Sequence, residues 1–361
     1  MNPRRRLGIF TLVLMLVGAG AACSDDAPET KAAEADAGPV TIQIGTADDD
    51  PDSPGGIAIM KLVELVRTGS EGNLLLYPVW QASGPESVEW DQKIARMVKE
   101  KQLGMGMVPA RAWDTEGVST FRALNAPFLV TSDALADKIV TSSDLSTELM
   151  SDLEKAGVTG LTLLPESPRH TFGFKHALVR VEDYNLQTIR TPHSVLTEAT
   201  LRALGGKPVD VTDSTFVQGV QDGSMAGVEA GFLLARGFPA SSTAAGNVVF
   251  NEKVNTLVIN PEVYAGLSEA NRTALQNSVK ALQVWVLANR TTETANAVAF
   301  CNLGGKIVTA STADLAALTK AVQPVYAELA KDAKTQAQIE RIRTLKQSVK
   351  VPAQDLADPC P

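Results

Sequence analysis

Between residues 40 and 77 the chain runs strand, helix, strand, and this alternation limits the fold more than any other feature. Val40–Ile44 alternates apolar and polar residues, Ile57–Arg67 is an apolar helical segment, and Leu74–Tyr77 is a second extended apolar run. Two strands joined through a helix become parallel strands of one sheet, with helices covering its faces. The alternation continues. A helix is predicted over Pro85–Lys101, a strand over Leu103–Val108 ending at Pro109, and helices over Asp133–Val140 and Leu145–Ala156. Phe121–Val130 ends in an extended apolar run, and Leu161–Leu164 reads as a strand followed by a further extended piece after Arg169. The chain is therefore α/β.

Toward the C-terminus, Asn255–Asn260 is a strand. Leu275, Val279, Leu282 and Val286 then repeat at 4-3-4 spacing, the signature of an amphipathic helix. With Ser268 as N-cap and Gly304-Gly305 as stop, one helix is predicted over Ser268–Leu303, about 50 Å long at 1.5 Å per residue. Such a helix can span two lobes. A short strand at Lys306–Val308 follows, then helices over Thr312–Leu329, kinked at Pro324, and Thr335–Ser348.

The N-terminus is an export signal. Arg4-Arg5-Arg6 precedes the apolar run Leu7–Val17, and small residues lead to Cys23. Small residues entering a cysteine resemble a lipobox, in which Cys23 is lipidated and becomes the first mature residue. Gly20 stands where leucine is usual, so simple cleavage after Ala21 or Ala22 is the competing reading. Residues 23–39 hold almost no bulky apolar side chain and read as a flexible tether. Removing residues 1–22 takes away three arginines and no acid, so the formal net charge moves from −8 to −8 − 3 = −11. That charge disfavours nucleic acid as a partner. The remaining 361 − 22 = 339 residues exceed one ordinary core and imply two lobes. Of three cysteines, Cys301 and Cys360 remain as a pair for an oxidising compartment; a buried thiol with a free tail thiol is the alternative.

Catalytic and metal chemistry finds little support. The histidines His170, His176 and His193 have no HExxH spacing, and CxxC, GxSxG and Walker A patterns do not occur. Asp48-Asp49-Asp50 reads as a solvated loop in preference to a calcium site. No metal, cofactor or enzymatic site is expected.

One arginine stands out. Arg190 follows an extended stretch and precedes Thr191-Pro192 and the helical segment Val195–Leu204, which Gly205-Gly206 ends before a strand at Val209–Val211. It would sit at a strand end beside a helix N-terminus, where open α/β sheets bind ligands and where anions are favoured. Two readings are open there: a carboxylate clamp, or a surface residue paired with a nearby acid.

The run from Arg190 to Glu229 resembles the signature region of the solute-binding proteins of tripartite ATP-independent periplasmic (TRAP) transporters, dicarboxylate-receptor type. Thr188-Ile189-Arg190-Thr191-Pro192, Leu204-Gly205-Gly206-Lys207-Pro208, Ser214–Val217 and Gly219–Glu229 match its successive motifs without a gap. Asp52-Ser53-Pro54, Tyr77-Pro78, Ala126–Leu129 and Gly304-Gly305-Lys306 extend the likeness over nearly all of the mature chain.

The resemblance implies a periplasmic-binding-protein-like fold of two α/β lobes, a hinge and a long helix supporting both. It divides the chain into residues 40–165 with about 255–290 as the first lobe, 166–254 with about 291–350 as the second, and 351–361 as a tail. It implies a receptor that captures a small organic acid outside the cytoplasmic membrane and delivers it to TRAP permease subunits, lipid-anchored to that membrane's outer face. An ABC importer or a sensor kinase is the alternative partner. It also implies Arg190 as the carboxylate clamp and Arg169 as a second arginine, offset by one residue. Glu229 closes the signature, His193 stands at a position that can touch ligand, and Trp113 at a strand end can line a pocket. Asp213 stands where relatives often carry an aromatic; it suits a ligand amine or hydroxyl, or a helix cap.

Overall fold

The computed structural model describes residues 38–349 and Cys360. The export signal, Cys23, the tether and the tail apart from Cys360 lie outside the described residues.

The expected strand–helix–strand opening forms β1 (Val40–Gly45), the helix Pro54–Gly69 and β2 (Leu74–Val79). Ser53 caps that helix by accepting a hydrogen bond from the Gly56 amide, and Pro54 occupies its first turn. The other strands are β3 (Met105–Pro109), β4 (Thr159–Gly173), β5 (Thr188–Arg190), β6 (Lys207–Val209), β7 (Gly227–Ala230), β8 (Thr243–Ala245), β9 (Asn251–Ile259) and β10 (Lys306–Val308). Their main path is β2-β1-β3-β9-β4-β7-β5-β6, with β8 joining β4 and β10 joining β8.

β1 is parallel to β2 and β3 in the first lobe, and β5 is parallel to β6 and β7 in the second. The lobes are joined through β4 and β9. Thr159–Arg169 pairs antiparallel with β9, and the last residues of β4 turn to β7 and β8. Two register shifts interrupt the β4–β9 ladder, one between Pro165 and Ser167. Glu166 is the extra residue there, and a bulge of this kind re-aims a side chain. The same bulge explains why β4 runs through Pro165, where the sequence suggests a break: proline, lacking an N–H, is tolerated where the ladder is already interrupted.

Leu275, Val279, Leu282 and Val286 are buried against Ile59, Leu62 and Leu257, as their spacing predicts. The single long helix is not formed. Glu269–Asn289 ends at Arg290, and Thr292 caps a separate helix, Glu293–Asn302, through its hydroxyl and the Ala295 amide. The first piece is about 31 Å long. Side chains flanking the break are drawn aside: Arg290 pairs with Asp137 at 2.7 Å, and Glu293 with His170 at 2.6 Å. The two pieces still serve both lobes, because Ala297 and Phe300 pack with Phe172 and Phe232 of the second.

Three further expectations change. Phe121–Val130 forms turns, with Phe128 at φ +62°, and no strand. The helix predicted from Pro85 begins at Trp90, because Glu89 lies in the left-handed region at φ +51°. The chain after residue 291 does not stay in the second lobe: Val325, Leu329, Ile339 and Ile342 pack in one core with Ile94, Leu135 and Ile139. Cys301 and Cys360 form a disulfide with their Cα atoms 5.1 Å apart.

Candidate functional site

A cavity of about 640 Å³ is lined by the turn after β1 (Asp48–Pro54), residues 81–87, Trp90, the β4 bulge, Arg190, Asp213, Trp285 and Arg290. Its size suits a small ligand. Both lobes contribute, and polar contacts hold them together around it. Gln92 Nε2 donates to the His193 carbonyl at 2.7 Å, and Ser194 Oγ and the Leu196 amide donate to Asp114 Oδ2 at 2.9 and 3.1 Å. The Glu89 amide donates to Asp210 Oδ2 at 3.0 Å, and Ser214 Oγ to Glu86 Oε2 at 2.6 Å.

Arg190 is the last residue of β5, between parallel strands β6 and β7, so its side chain leaves the carboxyl end of the strand. Its guanidinium carbon lies 5.0 Å from the Trp90 ring centroid and 4.7 Å from that of Phe216. Two aromatic faces therefore hold the guanidinium plane, leaving its N–H donors directed edgewise. Nη2 donates to Asp213 Oδ1 at 2.5 Å, while the buried Nε has no hydrogen-bond partner among the described residues. The side chain is 17% exposed and that of Asp213 62%. Arg190 is thus paired with an acid, and it lies in a cavity wall away from the open surface.

On the β4 side the wall is acidic. Glu166, aimed by the bulge, accepts from Lys253 Nζ at 2.7 Å and Asn255 Nδ2 at 2.9 Å. Burial opposes its charge, but Lys253 and Asn255 outweigh burial and hold its carboxyl below the ordinary range. The Asp48 carboxylate accepts, among the described residues, only from the Thr46 hydroxyl at 3.0 Å, and burial pushes it above the usual range against the pull of Lys253. No group of three or more His, Cys, Asp or Glu side chains among the described residues is arranged to hold a metal ion.

The other expected site residues stand elsewhere. Arg169 and Glu229 are buried against each other: Nε meets Oε1 at 2.7 Å and Nη2 donates to the Glu229 carbonyl at 3.0 Å. Neither lines the cavity. His193 bonds Glu198 Oε1 through Nδ1 at 2.9 Å and faces Glu89 at 3.7 Å, so it sits between two acids where the lobes meet. Trp113 is 1% exposed, and its Nε1 donates to Thr256 Oγ1 at 2.9 Å; it packs the first-lobe core. The sequence reading missed Trp90, Phe216 and Glu166. The one local signal was a tryptophan soon after Gly84-Pro85, where the chain leaves β2.

A sequence model of the family described as bacterial extracellular solute-binding protein, family 7, matches residues 48–332. No curated protein sequence matches. Among solved structures, the sugar acid binding protein of Advenella mimigardefordensis, in complex with galactonate, superposes with a TM-score of 0.75 at 16% identity, covering 86% of this chain and 99% of that one. A TRAP periplasmic solute-binding protein of Ralstonia eutropha with bound (S)-2-acetolactate gives 0.74 at 17% identity over 86% and 99%. An extracytoplasmic solute receptor of Bordetella pertussis binding pyroglutamic acid gives 0.74 at 17% over 84% and 100%. The two-lobed fold is that of these receptors, and the chain belongs to family 7 of the bacterial extracellular solute-binding proteins: it is an extracytoplasmic receptor of the TRAP type, not an enzyme.

Proposed function

We propose that this receptor binds a small organic acid through a bidentate contact between the ligand carboxylate and Arg190, and passes it to a TRAP permease in the cytoplasmic membrane. The observation that carries the reading is the Arg190 guanidinium, held between Trp90 and Phe216 in the cavity wall with a buried Nε that no described residue engages. Two parallel N–H donors match a carboxylate, and each charge-assisted bond contributes about 1.5–3 kcal/mol. The Asp213 carboxylate marks where a ligand carboxylate would sit. Because Asp213 is largely exposed, displacing it into water costs little: exposed ion pairs contribute about 0–1 kcal/mol.

Trp90 comes from the first lobe, and Arg190 and Phe216 from the second. A ligand on Arg190 therefore gains contacts only when the lobes meet, and that differential affinity drives closure. Arg169 and Glu229 act behind this wall: Glu229 shares β7 with Val228, the register partner of Arg190. Lipidation of Cys23 would tether the receptor to the outer face of the membrane; intact mass of the membrane-extracted protein tests it. A thermal-shift screen of carboxylic acids, repeated on Arg190→Lys, tests the ligand reading. At least one acid stabilises the wild type clearly more than the variant; equal stabilisation of both rejects the clamp.

A further inference from the structure

Resting on the carboxylate reading of Arg190, we infer that the ligand is a zwitterion, an amino acid whose ammonium group lies within a few atoms of its carboxylate. The inference comes from the charge of the wall and from how that charge is already partnered. Among the described residues, Asp48, Asp49, Asp50, Asp52, Glu166 and Asp213 face the cavity, against two cations, Arg190 and Arg290. Both cations are engaged within the protein, Arg190 by Asp213 and Arg290 by Asp137. Glu166 is neutralised by Lys253. Asp48, Asp49, Asp50 and Asp52 have no basic partner among the described residues within 4.0 Å.

A plain anion entering this wall displaces Asp213 from Arg190 and adds one more negative charge to a cavity already negative. Like charges a few ångströms apart disfavour each other, most of all where burial lowers the effective dielectric. A zwitterion avoids that. Its carboxylate takes the Arg190 donors, including the buried Nε, and its ammonium takes the carboxylate of Asp213 that it has displaced. One ion pair becomes two and the net charge of the cavity is unchanged. Arg190 and Asp213 are direct hydrogen-bond partners, so a ligand that engages both after parting them carries its two charges close together, as an α- or β-amino acid does. Asp213 has the freedom to follow the ammonium, being a 62% exposed side chain at the start of the helix Asp213–Asp222.

The test is calorimetric titration of the full protein with matched pairs of one carbon skeleton, alanine with lactate and serine with glycerate, together with 3-aminopropionate and ethylamine. On the wild type the best amino acid binds at least about tenfold tighter than its hydroxy acid partner, and ethylamine does not bind. Asp213→Asn, whose fold is checked by circular dichroism, abolishes that preference and leaves hydroxy acid affinity equal or improved. Hydroxy acids that bind as tightly as amino acids, and lose binding in Arg190→Lys, overturn the zwitterion and leave the carboxylate reading standing. Absence of binding by every carboxylate in the set, or binding insensitive to Arg190→Lys, overturns both.

Discussion

Replacing Glu229 by alanine strands the guanidinium of Arg169 inside the protein. Arg169 is 4% exposed, and three of its contacts run to this one residue, two to the carboxylate and one to the backbone carbonyl. Burial works against its charge, and Glu229, with Glu166 and Asp91 at longer range, outweighs burial and raises its pKa. Removing one partner of such a pair costs about 3–5 kcal/mol. The carbonyl contact at 3.0 Å and the field of Glu166 survive the substitution, which puts the loss toward about 3 kcal/mol. An unfolding entropy of about 2.1 cal/mol/K per residue over roughly 310 residues makes that loss a fall in Tm of about 5 °C. The double variant Arg169→Met/Glu229→Leu removes both charges and fills the space, and is expected within about 1 kcal/mol of wild type. Urea denaturation followed by circular dichroism and tryptophan fluorescence measures both, with coincident transitions confirming a two-state reading. A double variant as damaged as the single one refutes the reasoning, because the loss would then come from packing. Ligand affinity of the double variant stays within a few-fold of wild type; its loss would return Arg169 to the ligand contact that the family resemblance implies.

Glu252 is buried with neither carboxylate oxygen hydrogen-bonded among the described residues, and burial, Asp133, Glu293 and Asp137 push its pKa well above the ordinary value against the pull of Arg290. Above about pH 4.5 the unfolded chain has released this proton and the native protein keeps it, so stability falls as pH rises, by up to about 1.4 kcal/mol per unit. Glu252→Gln removes that slope, giving a variant more stable than wild type near pH 7 and equal to it near pH 4; parallel melting profiles across that range reject the assignment. The Cys301–Cys360 bridge closes a loop of sequence separation 59, so Cys360→Ser costs about 4 kcal/mol in the chain-entropy account, and dithiothreitol lowers the Tm of wild type but not of the variant. Trp113→Phe loses the hydrogen bond to Thr256, about 1 kcal/mol, with ligand affinity unchanged; a weakened ligand would place Trp113 in the site.

What the sequence made legible was what local pattern determines. The β1–helix–β2 opening, the 4-3-4 stripe of Leu275–Val286 and the strand-end position of Arg190 all follow from patterns within single elements and the turns between them. The break at Arg290 had no proline or glycine to announce it; it is made by capping at Thr292, by an ion pair to the distant Asp137 and by the hydrogen bond between Glu293 and the distant His170. The same limit hid the site's other half. Arg169 and Glu229 are 60 residues apart, Arg190 lies 100 positions beyond Trp90, and no periodicity shows which charged side chains will neutralise each other. The sequence marked Arg169 as a ligand contact because a family motif places an arginine there, whereas burial beside Glu229 gives its donors a partner within the protein.

The central claim is that Arg190 holds a ligand carboxylate, and its most direct measurement is the dissociation constant of the tightest-binding acid on wild type, Arg190→Lys and Arg190→Ala by isothermal titration calorimetry. Loss of one partner from a bidentate, partly buried pair, about 3–5 kcal/mol, predicts affinity at least about a hundredfold weaker for Arg190→Ala. Lysine, which offers a point charge and no fork, recovers only part of it. The apo variants unfold cooperatively within a few degrees of wild type. An Arg190→Ala protein that binds the acid within threefold of wild type contradicts the account.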